Sequence, residues 1–439
     1  MSESVESPIH LEKNNQKTSW TRPYFSLFTG QAFSLLGSQI VQFALIWWLT
    51  RETGSATVLA TASVAGLLPQ VFLSPIAGAL VDRWNRRLTM LAADGSVALA
   101  TLALVYLFFS GKIEIWHVYL LLFFRSTAGS FHWPAMQASS SLMVPEQKLA
   151  QIQGLNQLLQ GGLNIAAAPL GALLVEALPM HAVMSIDIFT ALLAVCILFF
   201  IHIPQPEAEE KSPSEKNSVW EDFKAGLGYI WAWPGLVIII CMAALINLLL
   251  TPGLMLMPIL VTRHFDGQAF ELALMQSSLG VGMMTGGLLL SVWGGFRKRV
   301  MTSLLGLLWM GLGALAVGLM PASAFRPALL AVFALGFCGP IVDGPLFAAL
   351  QSVVAPEMQG RVFTVVLSAS SAMAPLGLVL SGPIADTLGV QVWFIASGIM
   401  MLLMGSAAMF IPAVLTFEQE PRAISVHQPS KQPAPTYGD

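Results

Sequence analysis

Twelve apolar runs, each longer than about 20 residues, succeed one another along most of the chain: 24–49, 56–81, 88–109, 115–143, 149–177, 182–203, 235–261, 270–293, 300–320, 327–354, 360–386 and 390–415. A run of that length crosses a hydrocarbon core of about 30 Å as a helix. In lipid a single segment satisfies its own backbone only in that form. Charged residues make up 10% of the chain, against about 25% in soluble proteins, which is too few to cover a globule in water. The reading is an all-α membrane protein with twelve transmembrane helices. A net charge of -3 argues against a polyanionic partner, nucleic acid included. Cys196, Cys241 and Cys338 fall in apolar runs, at spacings that fit neither a disulfide framework nor a metal site. They are expected to be small buried residues.

Lysine and arginine set the orientation. With the N-terminus in the cytoplasm, sixteen of the 21 Lys and Arg residues fall on the inner side. Arg51, Lys112, Arg263 and Arg326 fall outside, and Arg125 lies within a span. That bias makes both termini cytoplasmic in a multi-pass plasma-membrane protein, the inner membrane of a bacterium. The first run is longer than the apolar region of a signal peptide and is kept as a span. The chain then divides into an N-terminal tail (1–22), a six-helix bundle (23–203), a cytoplasmic linker (204–233), a second six-helix bundle (234–416) and a C-terminal tail (417–439). In the linker Trp220, Phe223, Leu227 and Ile230 recur at helical spacing, which predicts an amphipathic helix on the inner membrane surface.

The two bundles echo one another. "HWPAMQASSSLMVPE" (132–146) aligns without a gap to "DGPLFAALQSVVAPE" (343–357), so that Pro134 meets Pro345 and Pro145 meets Pro356. At the same offset of 211, Arg86 and Arg87 fall on Arg297 and Lys298. "LTRETG" (49–54) also echoes "VTRHFDG" (261–267). A duplicated six-helix unit predicts two pseudo-symmetric bundles that rock about a substrate path at their interface.

Between spans two and three stands "GALVDRWNRR" (78–87). Gly78 allows tight helix contact, and Asp82 can pair with Arg83, Arg86 or a helix N-terminus across the bundle, with Arg87 completing the cluster. Asp94, in the inner third of span three, is expected to join it. Such a cluster latches one conformation; plain anchoring by the arginines is the simpler reading. The string resembles the signature loop of the major facilitator superfamily, G-x-L-x-D-R-x-x-R-R, and the 6+6 spans and long linker extend the likeness over the whole chain. The second copy, "GGLLLSVWGGFRKR", has Ser291 in place of the carboxylate.

Arg125, in "FFRSTAGSFHWP" (123–134), lies about 10 residues into its span, or about 15 Å deep at the helical rise. An unpaired charge there costs at least about 2.5–3.5 kcal/mol, so it should face the bundle interior and find a carboxylate or water. "RSTAG" is similar to the span-four signature of the superfamily's proton-coupled drug antiporters. That likeness implies that Arg125 tunes a nearby acid during proton exchange; a fixed structural ion pair is the alternative. A carboxyl that alternates between a dry site and the neighbourhood of a cation takes up and releases a proton. Asp343, about 16 residues into span ten, is the first choice of carrier, and Asp187 in span six the second. Glu176 and Asp386 lie near outer span ends.

Span one carries "GQAFSLLGSQIVQF", in which Gln31, Ser34, Ser38 and Gln42 form one polar stripe. In lipid that stripe must face protein or a wet path. Trp133 offers a flat surface and Met255 an adaptable one to an amphipathic organic molecule, while His132, the repeat partner of Asp343, is either a further contact or hydrogen-bonded structure. The span-five antiporter motif survives only in part: "NIAAAPLGAL" keeps Pro169 but has Ala168 before it. The first 90 or so residues resemble the macrolide-efflux branch of the drug antiporters, and the siderophore-export branch shares much of this. The resemblance implies a proton-driven exporter of amphipathic compounds, working as a monomer with no cofactor beyond the proton gradient. Its nearest rival is a carrier of one metabolite, such as a siderophore or a lysophospholipid. A non-transporting sensor and an intramembrane enzyme are remote; no H-E-x-x-H helix or phosphate-binding loop is present.

Overall fold

The computed structural model describes residues 20–81, 83–201, 203, 227–231, 233–416 and 418. Among them the first six long helices are α1 (Thr21–Thr53), α2 (Ala56–Val81), α3 (Arg86–Phe109), α4 (Ile115–Met143), α5 (Leu149–Ala177) and α6 (Met180–Phe200). The last six are α7 (Pro234–Met255), α8 (Ala269–Trp293), α9 (Arg299–Leu319), α10 (Phe325–Val353), α11 (Pro356–Leu388) and α12 (Gln391–Ala408). Trp220 and Phe223 of the expected amphipathic helix lie outside the described residues; 227–231 is helical, with Tyr229 and Ile230 buried and Trp231 exposed.

Eleven of these helices are long and apolar enough to cross a membrane. The other is α4, which has the length but also Arg125, His117, His132, Gln137 and a run of serines. Large apolar side chains such as Phe72, Leu99, Phe109, Phe189, Phe200 and Phe410 are exposed, the surface a lipid solvent covers. Cys196 and Cys241 belong to that surface, and only Cys338 is buried as expected. The seventh helix ends at Met255, short of the predicted 261. Pro252 and Pro258 lack the N–H that continues a helix, and the chain goes on through Met257–Ile259 into a π-helical turn, Leu260–His264.

Helix pairings in the first six recur in the last six. Contacts α1·α5, α1·α6, α2·α4, α3·α4 and α3·α6 are matched by α7·α11, α7·α12, α8·α10, α9·α10 and α9·α12. The two sets meet through α2·α11 and α5·α8, which exchange under the same relation. Glycine permits the closest crossing. A Cβ at Gly282 or Gly286 of α8 would strike the carbonyl of Phe333 or Phe337 of α10, and one at Gly336 the carbonyl of Leu279. Gly286→Leu is therefore expected to force α8 from α10 at a cost of about 1–3 kcal/mol or more, seen as a lowered unfolding temperature of the purified protein.

Among the described residues the apolar core is continuous across both sets at one end only. Where α1 turns into α2, Phe43, Trp47, Leu59, Leu256, Leu272, Val332 and Phe394 form a single cluster. At the opposite end the first set has its own core around Tyr24, Met90 and Leu198, and the second its own around Val300, Leu350 and Val362. Among the described residues the two sets are zipped by a shared buried core at one end and keep separate cores, parted from one another, at the other.

Candidate functional site

Gln31, Ser34, Ser38 and Gln42 project from one face of α1 into a cavity of about 410 Å³. Helix α3 adds Asp94, α4 adds Arg125, His132 and Trp133, and α6 adds Asp187. The 3.6-residue period of the stripe thus sets one wall, and the polar residues of α4 face it.

Arg125 does face inward. Its Nη1 lies 2.5 Å from Asp187 Oδ2, with the two side chains 11% and 1% exposed. Its Nη2 donates to the Ser38 carbonyl at 3.3 Å. Asp187 also accepts from the Ser38 hydroxyl at 2.8 Å and from the Thr101 hydroxyl at 3.1 Å. The guanidinium and carboxylate neutralise one another, and hydroxyls take up the remaining acceptor sites. A buried pair survives in an apolar surround only when so completed.

A second cluster lies on the same cavity. Gln31 Nε2 donates to Asp94 at 3.2 Å, and His132 Nε2 stands 3.3 Å from Asp94 Oδ1, out of hydrogen-bond alignment. An adjoining cavity of about 390 Å³ shares Gln39, Gln42 and Gln70 with the first and extends to Asn164, Met255 and Gln276, so its walls come from both helix sets. Trp133 and Met255 are each about two-fifths exposed, toward these spaces.

Asp343 is elsewhere. It lines a cavity of about 330 Å³ within the second helix set, with Asn247, Thr251, Ser303 and otherwise apolar neighbours. That cavity shares no residue with the Arg125 cavity, and among the described residues Asp343 has no hydrogen-bond or ion-pair partner.

Only part of the expected latch falls among the described residues. Asp82 lies outside the described residues. A Cβ at Gly78 would meet nothing, so that glycine makes no tight helix contact. Arg83 is exposed and Arg86 buried. Arg87 donates to the carbonyls of Leu198 and Phe199, a cation on the C-terminal end of α6. Asp94, expected beside the arginines, instead meets Gln31 and His132 at the cavity. Sequence reading passed over Thr101, whose hydroxyl is unremarkable in a helix, and Gln39 and Gln70. A glutamine within an apolar span was signal enough for the last two.

Polar cavities inside an otherwise apolar helical body are what a membrane carrier requires, and comparison with known proteins agrees. The sequence profile of the Major Facilitator Superfamily matches residues 27–309. The chain belongs to that superfamily. It is a multi-pass plasma-membrane transporter rather than an enzyme. It is 32% identical over 392 residues to "Macrolide efflux protein A" of Streptococcus pyogenes, covering 89% of this chain and 96% of that protein. A protein of the same name from Enterococcus faecalis is 30% identical over 325 residues, covering 74% of this chain and 100% of that one. "Multidrug efflux pump Tap" of Mycolicibacterium fortuitum is 26% identical over 387 residues, 86% and 92% of the two chains. Among solved structures, the nucleoside transporter NupG superposes with a TM-score of 0.68 at 14% identity, covering 88% of this chain and 98% of that one. A bacterial homologue of the iron transporter ferroportin, in an inward-facing state, gives 0.67 at 15%, covering 91% and 99%. These two likenesses concern the fold.

Proposed function

We propose that this facilitator exports macrolide-like amphipathic compounds in exchange for protons, as a monomer with both termini cytoplasmic and two six-helix bundles that alternate access to the central cavities. The observation that carries the reading is the polar space between helix sets that share a core at one end and part at the other. The repeated helix pairings and the exchange of α2·α11 with α5·α8 support a pseudo-two-fold rocking unit. With positive-inside orientation, the parted end faces the cytoplasm, where an exporter loads.

Gln31, Ser34, Ser38 and Gln42, with Trp133 and Met255, form the substrate walls: hydrogen-bonding groups on one side, flat and adaptable apolar ones on the other. Asp343 carries the proton, because an acid without a partner beside a cavity is free to exchange with water. Arg125 and Asp187 hold compensating charges in the other bundle and respond when the bundles tilt. A panel of macrolides, cationic dyes and a siderophore offered to inverted vesicles tests the substrate class. Uptake of macrolides and several dyes is expected; uptake of one metabolite alone would replace this reading with that of a dedicated carrier.

A further inference from the structure

Asp386, in the last turn of α11, reaches across to the other helix set. Its Oδ1 accepts the Ala56 N–H at 2.8 Å. Its Oδ2 accepts the Thr57 N–H at 2.9 Å, the Thr57 hydroxyl at 2.7 Å and the Ser55 hydroxyl at 3.0 Å. All four donors belong to the start of α2, where amides lack helical acceptors and the dipole favours a negative charge. From its own helix set Asp386 also receives Arg263, at 3.1 Å.

Two features mark this as a built contact. Helix α2 has no acidic residue in its first turn. Its counterpart α8 is self-sufficient: Gln268 and Glu271 close a capping box. The first turn of α2 keeps one cap of its own, the Val58 N–H on Ser55 Oγ at 3.3 Å, and Asp386 supplies acceptors for the Ala56 and Thr57 amides from the other helix set. The backbones also meet closely, since a Cβ added at Gly382, one turn before Asp386, would lie 2.6 Å from Thr57 Cα. Both features lie at the zipped end, beside the shared core.

We infer that Asp386 is a clasp between the bundles, a helix cap supplied in trans that holds the external end shut. When that end opens, Asp386 keeps Arg263 but yields its four donors on α2 to water. The clasp therefore stabilises one conformer only, and its loss favours the outward-open state. The inference rests on the alternating-access reading proposed above.

The test is a distance measurement on the full chain. Lys112→Cys and Arg326→Cys, one exposed site in each helix set at the zipped end, carry nitroxide labels after Cys196, Cys241 and Cys338 are replaced by serine. Asp386→Ala is expected to raise the ratio of long to short distances about tenfold, the scale of a lost charge-assisted cap. Thr57→Val, which removes one donor, should shift it the same way by less, and Arg263→Ala, whose contact is kept in both states, should not raise it. A distribution in Asp386→Ala that matches the parent overturns the clasp. If that variant does not fold, Asp386→Asn serves instead, and its matching the parent together with Thr57→Val overturns the clasp equally. Alternating access is judged separately, on the parent: it falls if the distances respond to neither a macrolide nor pH, whatever Asp386 does.

Discussion

Asp343→Asn is expected to abolish uphill export while macrolide binding changes by less than about threefold, or about 0.7 kcal/mol. Asparagine keeps the size and polarity of the side chain and removes only its ionisable group. The cavity around Asp343 offers no charged neighbour to take over, since its other polar lining residues are Asn247, Thr251 and Ser303. Downhill movement of substrate should survive in the variant, because carrier motion is untouched and only coupling is lost. Export against a gradient at the parent rate would remove Asp343 from the mechanism and leave Asp187 as the carrier.

Arg125→Ala should be the most damaging single change. Asp187 is 1% exposed, so removal of its cation leaves a buried charge with two hydroxyls for company. Breaking such a pair costs about 3–5 kcal/mol, to be read as a fall in unfolding temperature. Asp187→Asn should cost nearly as much, by stranding the guanidinium. The paired change Arg125→Met with Asp187→Leu removes both charges and should restore most of the stability. Transport should not return with it. Recovery of transport in the paired variant would mean that the ion pair only holds the bundle together.

What the sequence made legible was periodicity and depth. The stripe on α1 could be read because 3.6-residue spacing fixes one face, and all four of its residues reach the same cavity. That Arg125 must turn inward followed from its distance into the span. Which acid it meets did not follow, because the rotation of α6 against α4 is set by packing between helices distant in the chain. Asp94 was assigned to the arginine cluster by its nearness in sequence. Eight residues along a helix is about 12 Å, beyond salt-bridge reach of Arg86, and Asp94 turns to Gln31 and His132 instead. Asp386 read as one more acid near a span end, since its partners on α2 lie about 330 positions earlier. The α4 helix was read as an apolar run like its neighbours, although Arg125, its histidines and its serines leave it outside the eleven helices apolar enough to cross a membrane.

The central claim is that proton entry drives substrate out through these cavities. Its most direct test is accumulation of a radiolabelled macrolide in inverted membrane vesicles energised by an imposed pH gradient, with the membrane potential and the pH gradient dissipated in separate arms. Accumulation that collapses when the pH gradient is discharged, with protons leaving the vesicle lumen as substrate enters, is the expected result. Accumulation that persists after both gradients are gone would contradict it.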